Sequence, residues 1–186
     1  LTRWFLSPAM QRVNATVTEW MRGAGMDVTE DAWGNLVGRR AGNGTRTLLL
    51  GSHLDTVRGA GKYDGPLGVM LGLGVVEVLN ECGVALPFNL DVPGFSDEEG
   101  LRFQATYLGS RALVVRISEA DGDLCDADGV RLRDLIPEEF CMPRPRYSKG
   151  ELVAFLEAHI EQGPVLESLD EPLGVVEAIA GQTRAR

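Results

Sequence analysis

The sequence holds only two histidines in 186 residues, and each stands near acids in a setting that could do chemistry. His53 belongs to GSHLDTVRGAGKYDG, with Asp55 two residues after it and Asp64 nine residues further on. Asp97, Glu98 and Glu99 are consecutive in FSDEEG, where adjacent like charges repel and cost stability unless something positive compensates. The second histidine, His159, lies in LVAFLEAHIEQG. Taken singly, these are a core histidine, turn aspartates and a solvated acidic loop. Taken together, two imidazoles and several carboxylates on separate segments point to divalent metal binding. Neutral imidazole and carboxylate suit zinc, manganese or cobalt, and a carboxylate can bridge two ions held about 3.5–4 Å apart. Asp55 is placed to accept the second ring proton of His53, which would fix its tautomer and raise its basicity. Of the paired glutamates, one can ligate while its neighbour, pointing the other way, faces the substrate as a base.

Such residues need a scaffold that brings them to one place. Ser7 followed by Pro8 signals a helix start, and Met10, Val13, Val17, Trp20 and Met21 repeat at helical spacing before Gly23 and Gly25. NLVGRR and TLLLG, joined by the turn-forming AGNGT, predict two strands in tight connection, the second fully buried. His53 and Asp55 follow that second strand directly, where open α/β sheets gather functional groups. Leu67 to Leu79 is apolar nearly all round, with Gly68, Gly72 and Gly74 permitting close backbone approach, which predicts a helix lying on a sheet face. FNLDVPGFS predicts the strand that delivers the three acids, a helix follows around Ala105 to Leu113, and Glu119 to Gly129 is polar. Ser148 and Glu151 have capping-box spacing ahead of LVAFLEAHI, which predicts a helix with Leu152, Phe155, Leu156 and His159 on one face. LGVVEAIAG predicts a closing strand. The fold class is α/β, in layers, with a mostly parallel or mixed sheet covered on both faces.

Composition narrows the function classes. With 44% apolar residues the chain can bury a sizeable core. Its 27 acidic against 18 basic residues give a net charge of −9, which argues against nucleic acid or an anionic membrane surface as a partner. The longest apolar-rich window, Pro66 to Leu79, is too short and too interrupted to span a bilayer. Three cysteines without metal-ligand spacing favour a reducing cytoplasm over a disulfide framework. Leu1 opens the sequence without an initiator methionine or a signal-like segment, as a piece of something longer would.

GSHLDTV followed by GKYDGPLGV, then FSDEEGLRF, YLGSRAL, HIEQGPVLE and GVVEAIAGQTR, resembles the successive signatures of the amidase, hydantoinase and carbamoylase branch of the dinuclear metallopeptidases. The resemblance runs in order over nearly the whole chain, and the joint occurrence of these motifs is specific although each alone is weak. It implies a three-layer αβα catalytic domain with two divalent ions, zinc, manganese or cobalt. His53, Asp64 and His159 would hold one ion, and Asp64 would bridge to a second that Glu99 also binds. Glu98 would be the general base, Asp55 would orient His53, and Gln182 would contact substrate. Members of this branch also carry a smaller inserted lid and dimerisation domain, and a final metal-ligand histidine after it. This sequence contains neither, so residues 1–186 read as the N-terminal part of the catalytic domain of a protein that dimerises through its lid. On that reading at most one ion binds the chain well, and the chain alone is inactive.

The implied reaction is hydrolysis of a linear C–N bond in a small carbamoyl or ureido compound, an N-carbamoyl-L-amino acid or allantoate. AGQTR is more similar to the carbamoylase version, which favours the former. The alternative from another class is a non-catalytic binding or assembly module that keeps the fold, although a scaffold has no need of a base at Glu98. A serine hydrolase fits poorly: there is no GxSxG, and acids surround the serine of GFSDEEG. DGDLCDADG fails the spacing of a calcium-binding EF-hand and reads as a surface loop.

Overall fold

The computed structural model describes residues 1–115, 117–137 and 145–179. Helix α1 (Pro8–Gly23) begins as predicted, with the Ser7 hydroxyl accepting from the Met10 amide at 3.1 Å and proline in the first turn. Met10, Asn14, Val17 and Met21 form its buried stripe, whereas Trp20 is exposed. Six strands follow the order β1-β2-β5-β3-β6, with β4 paired to β5 off this path. They are β1 (Asp27–Glu30), β2 (Leu36–Arg40), β3 (Thr47–Leu50), β4 (Ser52–His53), β5 (Asn89–Phe95) and β6 (Leu152–Leu156). The sheet is mixed: β1 with β2 and β2 with β5 are antiparallel, whereas β3 with β5, β3 with β6 and β4 with β5 are parallel.

The short connection between β2 and β3 does not make them neighbours, because β5 lies between them. Alternation along β5 then sorts the layers. Leu90 and Val92 face one core with Met10, Val17 and Met21 of α1 and Val69, Leu73 and Val76 of α2 (Pro66–Glu81). Phe95 faces the other side with Val37, Leu49, Tyr147 and Leu113 of α3 (Leu108–Val114). Each large apolar side chain fully buried this way contributes roughly 1.5–3 kcal/mol. The helix expected from Ala105 therefore starts three residues later, at Leu108. Within β3 only Thr47 and Leu49 are buried, so that strand is less enclosed than its composition suggests. On α2, a Cβ added at Gly68 or Gly72 would lie 2.4 or 2.5 Å from the carbonyl oxygens of Ala158 or Leu50, so these two glycines allow the close seating, whereas Gly74 faces open space.

The segment read as a helix at Leu152 is strand β6. The Ser148 amide and hydroxyl do bond the Glu151 carboxylate, at 2.5 and 2.6 Å, but this pair closes a turn that feeds a strand. Parallel pairing with β3 decides the conformation, and the Glu151 carbonyl accepts from the Thr47 amide at 2.8 Å as the ladder starts. His159 thus lies beyond a strand end, and the predicted shared helical face does not exist. The closing strand also fails over the described residues: 173–179 carry no strand and are exposed, and the remainder of that segment lies outside the described residues. The polar stretch Glu119 to Gly129 folds into the short helix α4 (Glu119–Gly122) and a turn, and the short helix α5 (Leu132–Leu135) follows it. There Asp126 accepts from the Asp128 and Val130 amides and pairs with Arg102, which makes it a stapled surface turn. A last short helix, α6, spans Val165–Leu169. Among the described residues no helix is long and apolar enough to cross a membrane.

Candidate metal centre

Three strand ends converge. β4 ends in His53, which is 1% exposed. β5 ends at Phe95 and runs into Ser96, Asp97, Glu98 and Glu99. The chain beyond β6 brings His159, and the loop ahead of α2 brings Asp64. Gly65, at φ +83°, closes that loop against the His53 ring: a Cβ there would stand 2.5 Å from ring atoms Cε1 and Nδ1.

The imidazole contacts fix which nitrogens are free. His53 Nδ1 lies 2.9 Å from the Asp55 carbonyl oxygen, and His159 Nδ1 lies 2.8 Å from the Ile160 carbonyl oxygen. A carbonyl can only accept, so both Nδ1 atoms carry hydrogen and the Nε2 atoms are left to bind. Those two Nε2 atoms face each other at 3.5 Å, with the rings stacked 5.7 Å apart. Two bare lone pairs so placed repel unless a proton or a cation sits between them. Two nitrogens on one tetrahedral ion at about 2.0–2.1 Å stand about 3.3–3.4 Å apart, so the spacing matches a shared metal. Asp64 completes the set, its Oδ1 3.2 Å from His159 Nε2 and 3.9 Å from His53 Nε2. His53, Asp64 and His159 form one group with ligand atoms within 4.8 Å of one another, and His53, Glu98 and Glu99 form a second. This donor set fits a zinc-like divalent ion.

Asp55 is found beside His53 as expected, but the closer contact is its carbonyl, with carboxylate Oδ1 at 3.5 Å. The two carboxylate oxygens instead accept from the Glu98 and Glu99 amides, each at 3.1 Å. One residue therefore fixes the histidine with its main chain and the glutamate turn with its side chain. Burial opposes a proton on His53, but the Asp55 hydrogen bond and charge, with Glu98 behind them, outweigh it and push the pKa up to about 9. Burial first, and then Asp55, pushes the Glu98 carboxyl above its usual range against the pull of His53. Glu99 is raised by burial and by Glu98. Asp97, 1% exposed and without a hydrogen-bond partner for either oxygen among the described residues, is raised to about 8 by burial and then by Asp55 and Glu98.

Neighbours that sequence reasoning passed over complete the surroundings. The Gln162 amide donates to both Asp64 oxygens at 3.2 Å, and its φ of +56° is one a non-glycine residue rarely adopts. The Tyr107 amide bonds the Glu98 carbonyl at 3.2 Å, and the Glu98 charge pushes the phenol pKa up. Ser52 bonds Glu157. Gln162, Tyr107 and Ser52 each lie inside a motif quoted from the sequence, HIEQGPVLE, YLGSRAL and GSHLDTV, but the motifs alone assign them no role. Gln182 lies outside the described residues.

Residues 49–177 match the peptidase family M20/M25/M40, and the chain belongs to that family. It is 42% identical over its whole length to a protein named probable allantoate deiminase from Oryza sativa subsp. japonica, covering 40% of that protein. It is 39% identical to an N-carbamoyl-L-amino acid amidohydrolase from Geobacillus stearothermophilus, over 97% of this chain and 46% of the other. Among solved structures it resembles a hydantoinase/carbamoylase family amidase from Burkholderia ambifaria, at 36% identity and a TM-score of 0.80, over 91% of this chain and 42% of that one. The chain thus spans less than half the length of these relatives.

Proposed function

We propose that the protein is a metal-dependent hydrolase of linear C–N bonds in small carbamoyl or ureido compounds. The observation that carries this reading is the pair of free Nε2 atoms 3.5 Å apart with Asp64 beside them. His53, Asp64 and His159 would hold one divalent ion, and Asp64 with Glu99 would reach a second. When bound, such ions polarise a carbonyl and lower the pKa of water. Glu98 serves as general base: its carboxylate takes the proton of the attacking water and later delivers it to the departing nitrogen. Its raised pKa suits this double duty, since it brings the carboxyl closer to the working pH. Asp55 holds the Glu98 amide and so fixes where the base stands. N-carbamoyl-L-amino acids and allantoate, the compounds in the relatives' names, share a terminal ureido group on a carbon that bears a carboxylate. Gln182 is the proposed contact to that substrate.

The same reading makes residues 1–186 the N-terminal part of a catalytic domain in a cytoplasmic homodimer, with lid and remaining ligand elsewhere. An ammonia-release assay with both substrate types tests it. In the full-length protein Glu98→Gln should lower turnover about 10²–10⁴-fold with metal content kept, whereas Glu99→Gln should lose metal. The 186-residue chain alone should be inactive. Equal metal loss in both variants, or turnover near roughly 1 s⁻¹ from the chain alone, would contradict these assignments.

A further inference from the structure

The two histidines reach the site on segments whose backbones have already parted. The parallel ladder between β3 and β6 ends at Leu50 and Leu156, with a final bond from the Gly51 amide to the Leu156 carbonyl at 3.2 Å. Beyond that point β4 continues beside β5 in the register that β3 already holds, Ser52 opposite Gly94 and His53 opposite Phe95, while the chain after β6 leaves the sheet. Residues 157–159 run on without a strand partner. One polar contact spans this divergence just before the histidines: the Ser52 hydroxyl, fully buried, donates to Glu157 Oε1 at 2.5 Å. Ser52 precedes His53 by one residue and Glu157 precedes His159 by two. Helix α2 seats its first turn on the same pair of segments, since a Cβ at Gly68 would lie 2.4 Å from the Ala158 carbonyl oxygen and 2.7 Å from Ser52 Cβ.

We infer that Ser52 and Glu157 form a positioning pair whose hydrogen bond sets the gap between His53 and His159, and with it the affinity for the metal. The inference rests on the proposed metal site. Neither residue is a ligand in it; each acts through the histidine that follows. The gap matters because two imidazoles 3.5 Å apart admit a tetrahedral ion, whereas a displacement of about 1 Å lengthens one of the bonds beyond its range of roughly 2.0–2.1 Å. Partners behind metal ligands are worth about 10–100-fold in affinity. Because an uncharged amide oxygen also accepts from a hydroxyl, geometry and charge can be told apart.

The test is zinc affinity at the tightest site of the full-length protein, by competition with a chelator, for the wild type, Ser52→Ala, Glu157→Ala, Glu157→Gln and the alanine double variant. Each alanine variant should bind about 10–100-fold more weakly, and the double variant within about threefold of either single one. Glu157→Gln, which keeps the acceptor, should stay within about threefold of the wild type. Glu157 is exposed, so Glu157→Ala carries the test where Ser52→Ala fails to fold. Alanine variants that bind as tightly as the wild type, losses that multiply in the double variant, or Glu157→Gln as weak as Glu157→Ala would each overturn the inference. A wild type that binds no zinc, or binds it as well after His159→Ala, overturns the site itself and the inference with it.

Discussion

His53 and His159 each commit Nδ1 to a carbonyl, so local hydrogen bonds alone leave both Nε2 atoms available for one ion. Part of this was legible in the sequence, where scarce histidines beside acids at segment ends point to a shared metal: His53, Asp64 and His159 come together, and so do His53, Glu98 and Glu99. The roles within Asp55 were not legible, since residue spacing does not tell a carbonyl contact from a carboxylate contact. Asp97 was seen only as one member of an acidic run, although it is the most enclosed of the three acids and has no partner for its oxygens among the described residues. Its pKa near 8 against an unfolded value of 3.8 has a defined consequence for the metal-free protein. Below about pH 4 the carboxyl is protonated in both states and costs nothing. As pH rises toward about 8 the unfolded chain ionises while the folded one resists, so stability is lost across that window. Urea midpoints measured from pH 4 to 8 should fall less steeply for Asp97→Asn than for the wild type. Identical slopes would show that Asp97 ionises freely in the fold.

Strand ends and the loops between them bring the ligands together, and here the sequence was an uneven guide. Helices α1 and α2 were visible from caps and apolar spacing, which are local signals. β6 was not, because its five residues are too few to show a period and the Ser148 and Glu151 pair ahead of them closes a turn whichever element follows. What makes it a strand is the parallel ladder to β3, a partner about a hundred residues away in the chain. The order of β2, β5 and β3 was hidden for the same reason. Gly65 shows an element-scale constraint that the sequence only hinted at. Gly65→Ala should lower zinc affinity at least about tenfold, because the added methyl pushes on the His53 ring. Gly59→Ala is the control: its φ of +66° is similar but its surroundings are open, so it should cost only about 1–2 kcal/mol of backbone strain and leave affinity unchanged. Equal affinities for both variants would mean that Gly65 does not hold the ring in place.

At the scale of the molecule, a mixed sheet with α1 and α2 on one side and α3 on the other carries the candidate centre at one end of its parallel strands. Several apolar side chains near that end are exposed, among them Phe155, Leu156 and Val165. The chain spans 40–46% of the named relatives, so dimerisation and the substrate contacts other than the one proposed for Gln182 are assigned, as proposals, to parts of the protein beyond these residues. The proposed metal centre lies within these residues: two histidines and an aspartate placed to hold one divalent ion. Anomalous diffraction at the zinc edge, from crystals of the protein grown with zinc, tests this most directly. A peak is expected about 2.0–2.2 Å from His53 Nε2, His159 Nε2 and an Asp64 oxygen, absent in His159→Ala. A well-ordered map with zinc elsewhere, or with the two Nε2 atoms joined only through a proton, would contradict it.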